Sequence, residues 1–300
     1  MRPIRPRAAI ALLGAVALLL VLAGCTASRA GIYPYNWGIF WDSLLRPSPR
    51  IVNGIWLTVS IAITSQIIGV ILGIFGALGR LAKFWPARIL ANIYVWIFRG
   101  TPLLVQITFL YYGLLVTRIY GWPDITVLGI TLPSAIQAGI FALGVNEGAY
   151  MTEIVRAGIL SVDPGQLEAA RSLGMTYPLA MRRIVLPQAA RVIVPPLGNE
   201  FNNMLKTTSL LVVIAVPELY VTFEQLNGSG SSQFHPFELF LACACWFLLL
   251  TTIWSIIQAF IERRVGRGFG AERPPGLFDR LFGARLGRLS NAEPRASGGR

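Results

Sequence analysis

Side chains able to perform covalent chemistry are scarce in this sequence. The single histidine, His235, precedes Pro236 and has no second ligand type near it, so neither a metal site nor a Ser/His/Asp or Cys/His arrangement can be built around it. No G-x-x-x-x-G-K-S/T phosphate loop occurs. Cys243 and Cys245 stand two apart in an apolar stretch, where small buried side chains explain them. The sequence therefore predicts no catalytic residue, no metal site and no cofactor on this chain.

The most ordered polar segment, Glu168 to Pro187, lies between two apolar stretches. Its pattern is E-A-A, three residues, glycine, nine residues and I-x-L-P. A loop this ordered in a membrane protein favours a docking element, and the alternative is a pair of surface helices that caps the bundle. The positions that define the pattern are Glu168, Ala169, Ala170, Gly174, Leu186 and Pro187.

Helix start and stop signals give this segment a shape. Asp163 is an N-cap acceptor followed by Pro164, which loses no hydrogen bond in the first helical position. Gly174 suits the left-handed residue that ends the helix, and Thr176 can cap a second one. Because Pro187 marks the entrance to the next apolar stretch, we predict a helix–turn–helix over 163–187, lying along the membrane surface.

Polar and ionisable residues also recur inside apolar stretches. Asn199, Asn203 and Lys206 are spaced by four and three, which places them on one helical face. Such groups are costly in lipid and usually face the bundle interior or a water-filled path. One hypothesis is that these residues line a path for a zwitterionic or charged solute. The alternative is that they form hydrogen bonds between helices that fix the bundle. Glu153 could likewise be neutralised by Arg156. The candidate pathway residues are Glu153, Asn199, Glu200, Asn203, Lys206, Thr207 and Ser209, with Glu147 as a second acidic group in the Glu153 helix.

A possible helix break precedes the second half of one apolar stretch, at Arg99, Gly100, Thr101 and Pro102. Glycine loosens a helix, and proline removes a donor and clashes with the preceding turn. Broken backbone at membrane depth is tolerated where it is buried or lines a cavity. The alternative is a plain turn at the membrane edge before a continuous span.

The elements that must position these groups are membrane-spanning helices. The chain is 54% hydrophobic and 13% charged, and its apolar stretches approach or exceed the length of about 20 residues that a bilayer requires, without the alternation typical of a barrel. We predict an all-α, polytopic helical membrane protein with five core transmembrane helices and one extra N-terminal hydrophobic helix. Expected domains are 1–50, 51–262 and a basic, mostly unfolded tail, 263–300. The expected spans are Ala8–Gly24, Ile51–Gly79, Ile89–Val116, Pro133–Leu160, Gln188–Pro217 and Phe237–Phe260.

The net charge of +12 follows the topology of a membrane protein. If the N-terminus is cytoplasmic, the outer segments contain only Arg29, Arg46, Arg50 and Arg118, and most other basic residues fall on inner segments or in the tail. We therefore expect no nucleic-acid partner and both termini in the cytoplasm if the first helix is uncleaved. The stretch ending at Cys25 also resembles a bacterial lipobox, so cleavage and lipidation there is the alternative.

The polar loop resembles the EAA loop of permease subunits in bacterial ABC importers. Three further segments resemble signatures of the polar amino-acid permeases among them, and the likeness extends from about Ser43 to Arg264. These segments are Phe98–Gln106, Asn146–Gly158 and Lys206–Leu210.

The resemblance implies the type I ABC importer permease fold in the bacterial cytoplasmic membrane. It also implies two ATPase subunits that use ATP and Mg, a solute-binding protein, a second permease copy and alternating access. Glu168 would pair with a basic group of the ATPase, Ala169 and Ala170 would permit close approach, and Gly174 would make the turn. Another solute, such as an opine, a sulfur compound or an anion, remains open. A secondary transporter is disfavoured because no inverted repeat is visible.

Overall fold

The computed structural model describes residues 35–127, 129–229 and 234–265, and these are mostly helical. The segment Ala8–Gly24, Cys25 and most of the tail lie outside the described residues. The helices are α1 Trp37–Leu45, α2 Pro49–Leu81, α3 Trp85–Gly100, α4 Leu103–Val116, α5 Ser134–Leu160, α6 Pro164–Ser172, α7 Tyr177–Ala180, α8 Leu186–Thr207, α9 Leu219–Gly228 and α10 Pro236–Val265. The strands β1 Ile125–Val127 and β2 Ile130–Leu132 precede α5.

Three of the expected spans coincide with long helices. Ile51–Gly79 falls within α2, Pro133–Leu160 matches α5, and Phe237–Phe260 falls within α10. By length and composition α2 and α10 can each cross a membrane, and two bent helix pairs can do so as well.

The expected span Ile89–Val116 is not a single helix. Helix α3 ends at Gly100, and α4 begins at Leu103 after a bend of 105°. The physical cause is Pro102, which has no N–H to donate and stands in extended backbone at the N-cap of α4. Within α4, residues Phe109–Gly113 form a π-helical turn.

The expected span Gln188–Pro217 is also interrupted. Regular α-helix ends at Thr207, residues Thr208–Ile214 continue as a 3₁₀ helix, and α9 follows after a bend of 47°. Ala215 has a positive φ of 54°, and Pro217 follows it, so the helix cannot continue. Helix α9 itself was not expected from the sequence. Its N-cap is Glu218, whose carboxylate accepts from the Val221 N–H at 3.0 Å.

The short hairpin was also not expected. Its strands pair antiparallel, with Thr126 opposite Thr131, and the hydroxyls of those threonines are 2.9 Å apart. Gly129 has a φ of +80°, which the tight turn between the strands requires. The hairpin leads into α5, whose Ser134 N–H donates to Asp124 Oδ1 at 2.7 Å.

The chain forms two compact units, one of which joins the segment up to Ser60 with Ser209–Leu249. In this unit two fully buried carboxylates are hydrogen bonded. Thr58 Oγ1 donates to Glu218 Oε2 at 3.2 Å and accepts from the Leu219 N–H at 3.1 Å. The Asn36 N–H donates to Glu238 Oε1 at 2.6 Å. These bonds satisfy polar atoms that would be costly to bury unpaired.

The second unit joins Ile61–Thr208 with the chain after Leu250 and contains the loop and most candidate site residues. In this unit α2 and α5 approach closely, because Gly69 lies against Glu147, Gly73 against Met151 and Gly76 against Thr152. The paired residues advance in the same direction, so the two helices run parallel. A Cβ on Gly73 or Gly76 would overlap its neighbour, so only glycine permits this approach.

Candidate coupling loop and polar groups

The first part of the loop is a short helix with a defined start and end. Asp163 Oδ1 accepts from the Gly165 N–H at 2.8 Å, which caps α6. At the other end Gly174 has a φ of +81°, and its N–H donates to the Arg171 carbonyl at 2.9 Å. The Met175 N–H donates to the Ala170 carbonyl at 3.1 Å. This pair of bonds is the Schellman motif, which fixes the direction of the chain after α6.

The second part of the loop is continuous with α8. Helix α7 passes through a π-helical turn, Met181–Val185, into α8 at Leu186. Thr176 stands at the N-cap of α7 in extended backbone, but its side chain makes no capping hydrogen bond. Pro178 occupies the second helical position and offers no N–H there, which removes one of the two backbone donors that an N-cap side chain can use. The expected Thr176 cap is therefore wrong, although the two-helix shape is observed.

The loop presents both charged and apolar side chains at its surface. Glu168 and Ala169 are exposed, whereas Ala170 is buried and packs inward. Leu173 is 84% exposed and Tyr177 is 56% exposed, which is unusual for large apolar side chains in a loop this well ordered. A surface that combines an acid with exposed apolar groups on rigid backbone is suited to binding another protein.

Glu153 lies among arginines. Its Oε2 accepts from Arg156 Nε at 3.0 Å, and its Oε1 forms an ion pair with Arg80. Arg99 Nη1 is 3.7 Å from the same Oε1. The contact with Arg156 is the neutralising pair considered from the sequence. Arg80 and Arg99 were not expected there, because they come from the far ends of α2 and α3.

The break at Arg99–Pro102 is stabilised by side-chain hydrogen bonds. Gln106 Nε2 donates to the Phe98 carbonyl at 2.9 Å and to Thr101 Oγ1 at 2.8 Å. Gln106 Oε1 accepts from Asn146 Nδ2 at 3.0 Å, and the same Nδ2 donates to the Phe98 carbonyl at 2.9 Å. Side chains from α4 and α5 therefore satisfy part of the broken backbone.

Replacing Gln106 by leucine should loosen this break. The substitution removes the donors to Phe98 and Thr101 and leaves the part-buried Asn146 amide with one acceptor fewer, so we expect a loss of about 2 kcal/mol in the free energy of unfolding. The measurement is thermal unfolding of the purified protein in detergent. Gln225→Leu, on the exposed surface of α9, is the matched control. Equal unfolding midpoints for the two variants would contradict the prediction.

The polar stripe of α8 is on an exposed face. Asn199, Asn203 and Lys206 are exposed, while Glu200 and Thr207 are half-buried. Asn199 Oδ1 accepts from Gln258 Nε2 at 3.1 Å, and Thr207 Oγ1 donates to the Asn203 carbonyl at 2.7 Å. Ser209 lies beyond α8, in the 3₁₀ segment. The exposed side chains of the stripe therefore lie on one surface of α8. The Glu153 carboxylate, in contrast, is bound by Arg80 and Arg156.

Sequence reasoning missed one polar contact in the interior. Gln66 of α2 is buried, and its Nε2 donates to Glu147 Oε1 at 3.1 Å. Its Oε1 is buried and has no hydrogen-bond partner in the described part of the chain. The signal was available, because Gln66 is an isolated amide within the long apolar stretch Ile51–Gly79.

Long apolar helices and bent helix pairs together define a polytopic helical membrane protein. The family model described as the binding-protein-dependent transport system inner membrane component matches residues 69–267. The chain belongs to this family. It is the membrane-spanning permease subunit of an ABC importer complex that includes an ATPase and a solute-binding protein. ATP hydrolysis takes place on the separate ATPase subunit.

Several relatives are amino-acid or opine permeases. The chain is 36% identical to the arginine transport system permease protein ArgU of Corynebacterium glutamicum, over 85% of this chain and 79% of the relative. It is 37% identical to the L-cystine transport system permease protein TcyB of Bacillus subtilis, over 76% of this chain and 92% of the relative. It is 35% identical to the nopaline transport system permease protein NocQ of Agrobacterium fabrum, over 73% of this chain and 92% of the relative.

Solved structures agree with this family. A chain in the crystal structure of an amino acid ABC transporter with histidines is 36% identical, with a TM-score of 0.65, and the match covers 77% of this chain and all of that one. A chain of the MetNI methionine ABC transporter is 17% identical, with a TM-score of 0.58, and the match covers 73% of this chain and 97% of that one. At this identity the likeness supports the fold alone. The all-α polytopic fold of a type I importer permease and the location in the inner membrane are confirmed.

Proposed function

We propose that this permease moves polar amino acids that an extracytoplasmic solute-binding protein delivers. The observation that supports this is the set of solutes in the names of its relatives, arginine and cystine among them, at 36–37% identity over three quarters or more of the chain. In such complexes the choice of solute lies chiefly with the receptor.

The loop at 163–187 is the proposed contact with the ATPase. Its capped helix, its Schellman turn and the exposure of Glu168 and Leu173 support this role. Glu168 pairs with a basic group of the ATPase, and Gly174 holds the turn. Ala169 faces the partner, while Ala170 seats the helix on its own chain. Leu186 and Pro187 begin α8, so displacement of the loop reaches the next span directly.

The complex contains two ATPase subunits and a second permease copy, identical or related. The exposed stripe of Asn199, Asn203 and Lys206 supports this, because an exposed polar face in a membrane is stable only against another protein or a water-filled path. The core domain spans 51–262 between the segments 1–50 and 263–300, and both termini are cytoplasmic if the first helix is uncleaved. The basic residues at inner positions support that orientation.

The test is ATP hydrolysis by the reconstituted complex. The chain is co-purified with the ATPase and receptor encoded beside it, and turnover is measured with arginine, glutamine, glutamate, histidine and cystine, and with leucine as the apolar comparison. Stimulation by one or more of the polar amino acids is the expected result. If none of them stimulates turnover, the substrate assignment is wrong.

A second candidate solute class is the opines. The 35% identity to the nopaline permease supports it. Adding nopaline and octopine to the same panel separates the two classes, because stimulation by an opine without stimulation by any amino acid would favour the second.

A further inference from the structure

Three arginines from three helices surround one carboxylate in the second unit. Arg156 and Glu153 belong to α5, Arg80 is the next-to-last residue of α2, and Arg99 is the next-to-last residue of α3. We call these four residues the arginine cluster. Three positive charges and one negative charge leave an excess of two positive charges in a small volume.

The single carboxylate is already used by two of the arginines. Glu153 Oε2 accepts from Arg156 Nε at 3.0 Å, and Oε1 accepts from Arg80 Nη1. Arg99 Nη1 lies 3.7 Å from Oε1, which is beyond hydrogen-bond distance. A guanidinium carries five N–H donors, and within residues 35–127, 129–229 and 234–265 no acceptor side chain lies within hydrogen-bond distance of Arg99.

Arg99 is held in place although its guanidinium N–H groups make no hydrogen bond to a side chain of the described residues. Its guanidinium carbon lies 5.1 Å from the centre of the Tyr150 ring, at cation–π distance. Its side chain is 42% exposed, against 23% for Arg80 and 32% for Arg156. The fork of donors is therefore oriented by an aromatic face and stands at the most open side of the cluster. That planar fork suits the oxygens of a phosphate group, which it can bind with two parallel hydrogen bonds.

The cluster lies at the ends of helices, where a membrane-spanning chain can reach lipid headgroups. Arg80 and Arg99 are at helix ends, and Arg156 is about one turn before the end of α5, which leads into the exposed helix α6. Helix C-termini favour cations, which explains why the arginines are tolerated there. This electrostatic preference does not provide a hydrogen-bond acceptor for the outer N–H groups of Arg99, however. Anionic headgroups present phosphate oxygens at the membrane surface, within reach of basic side chains.

We propose that the arginine cluster binds a phosphate-type oxyanion, with Arg99 as its main ligand and Arg80 and Arg156 contributing positive charge. The ligand is either the phosphodiester of an anionic lipid in the cytoplasmic leaflet or free phosphate. Since the cluster joins α2, α3 and α5, the bound anion neutralises the excess charge that these helix ends share.

The test compares binding by the wild-type chain and three variants, each co-purified with its ATPase. Arg99→Gln removes the fork, and Arg99→Lys keeps the charge without the fork. Arg88→Gln removes a charge from an exposed position of the same helix and serves as the matched control. Each protein in detergent is titrated with phosphatidylglycerol, with phosphatidylcholine of the same acyl chains and with inorganic phosphate, and the midpoint of thermal unfolding is followed.

A lipid ligand should raise the unfolding midpoint of the wild type and of Arg88→Gln at the same phosphatidylglycerol concentration. Arg99→Gln should need an about five- to tenfold higher phosphatidylglycerol concentration for the same rise in the unfolding midpoint, and Arg99→Lys an intermediate concentration. If inorganic phosphate gives this dependence on Arg99, the source is free phosphate. If Arg99→Gln and Arg88→Gln respond alike to both probes, or if neither probe stabilises the wild type, the proposal is overturned.

Discussion

Replacing Glu168 by lysine should reduce substrate-stimulated ATP hydrolysis by about tenfold or more. The side chain is exposed on α6, and in the proposed complex it pairs with a basic group of the ATPase. Reversal of its charge sets two like charges against each other at the contact, which costs several kcal/mol, and each 1.4 kcal/mol is a factor of ten. The measurement is ATP turnover of the reconstituted complex with and without loaded receptor.

Two observations separate a loss of coupling from a loss of folding. Because the exposed Glu168 side chain makes no hydrogen bond or ion pair with the residues that the structure describes, the free energy of unfolding of Glu168→Lys should stay within about 0.5 kcal/mol of the wild type. Glu224→Lys makes the same charge reversal at an exposed position of α9 and should retain stimulated turnover. Transport at the wild-type rate in Glu168→Lys would show that the loop does not couple through this residue.

Replacing Gly73 by valine should prevent the formation of stable protein. A Cβ at this position would overlap the Met151 side chain and backbone, and a branched side chain would separate α2 from α5 over neighbouring turns. Overpacking in a well-packed core costs about 1–3 kcal/mol, and here lost contacts at Gly69 and Gly76 add to it. The expected result is a large loss of monodisperse protein in size-exclusion chromatography and a lowered unfolding midpoint.

The matched comparison uses a smaller substitution at two glycines. Gly73→Ala should lower the unfolding midpoint clearly, because even one methyl group has no space there. Gly228→Ala, at the end of α9, should leave the midpoint nearly unchanged, because no atom of the described residues lies within 4 Å of the added Cβ. An unchanged midpoint for Gly73→Ala would mean that α2 and α5 do not approach as closely as the structure shows.

The shape of the loop could be predicted because its signals are local. The Asp163 cap and the positive φ at Gly174 depend on residues a few positions away, and both are observed. Long helices such as α2 and α10 were predictable from apolar length alone.

What the sequence could not reveal is set by contacts between distant segments. A break at Pro102 can be anticipated, but its angle of 105° is fixed by packing and by the bonds of Gln106 and Asn146. The approach of Arg80 and Arg99 to Glu153 depends on the directions of three helices. Helix α9 escaped notice because hydropathy continues across the bend at Ala215, and a positive φ at alanine has no sequence signal.

The glycine contact between α2 and α5 has a mechanical meaning. Two parallel helices that touch through backbone along several turns cannot slide past each other by a fraction of a residue, because the side chains of Glu147, Met151 and Thr152 occupy the grooves. The two helices are therefore expected to move as one rigid body, and α6 follows the C-terminal end of α5. In the proposed complex, a force applied at the loop would therefore move α2 and α5 together, and bending would occur where the backbone is interrupted.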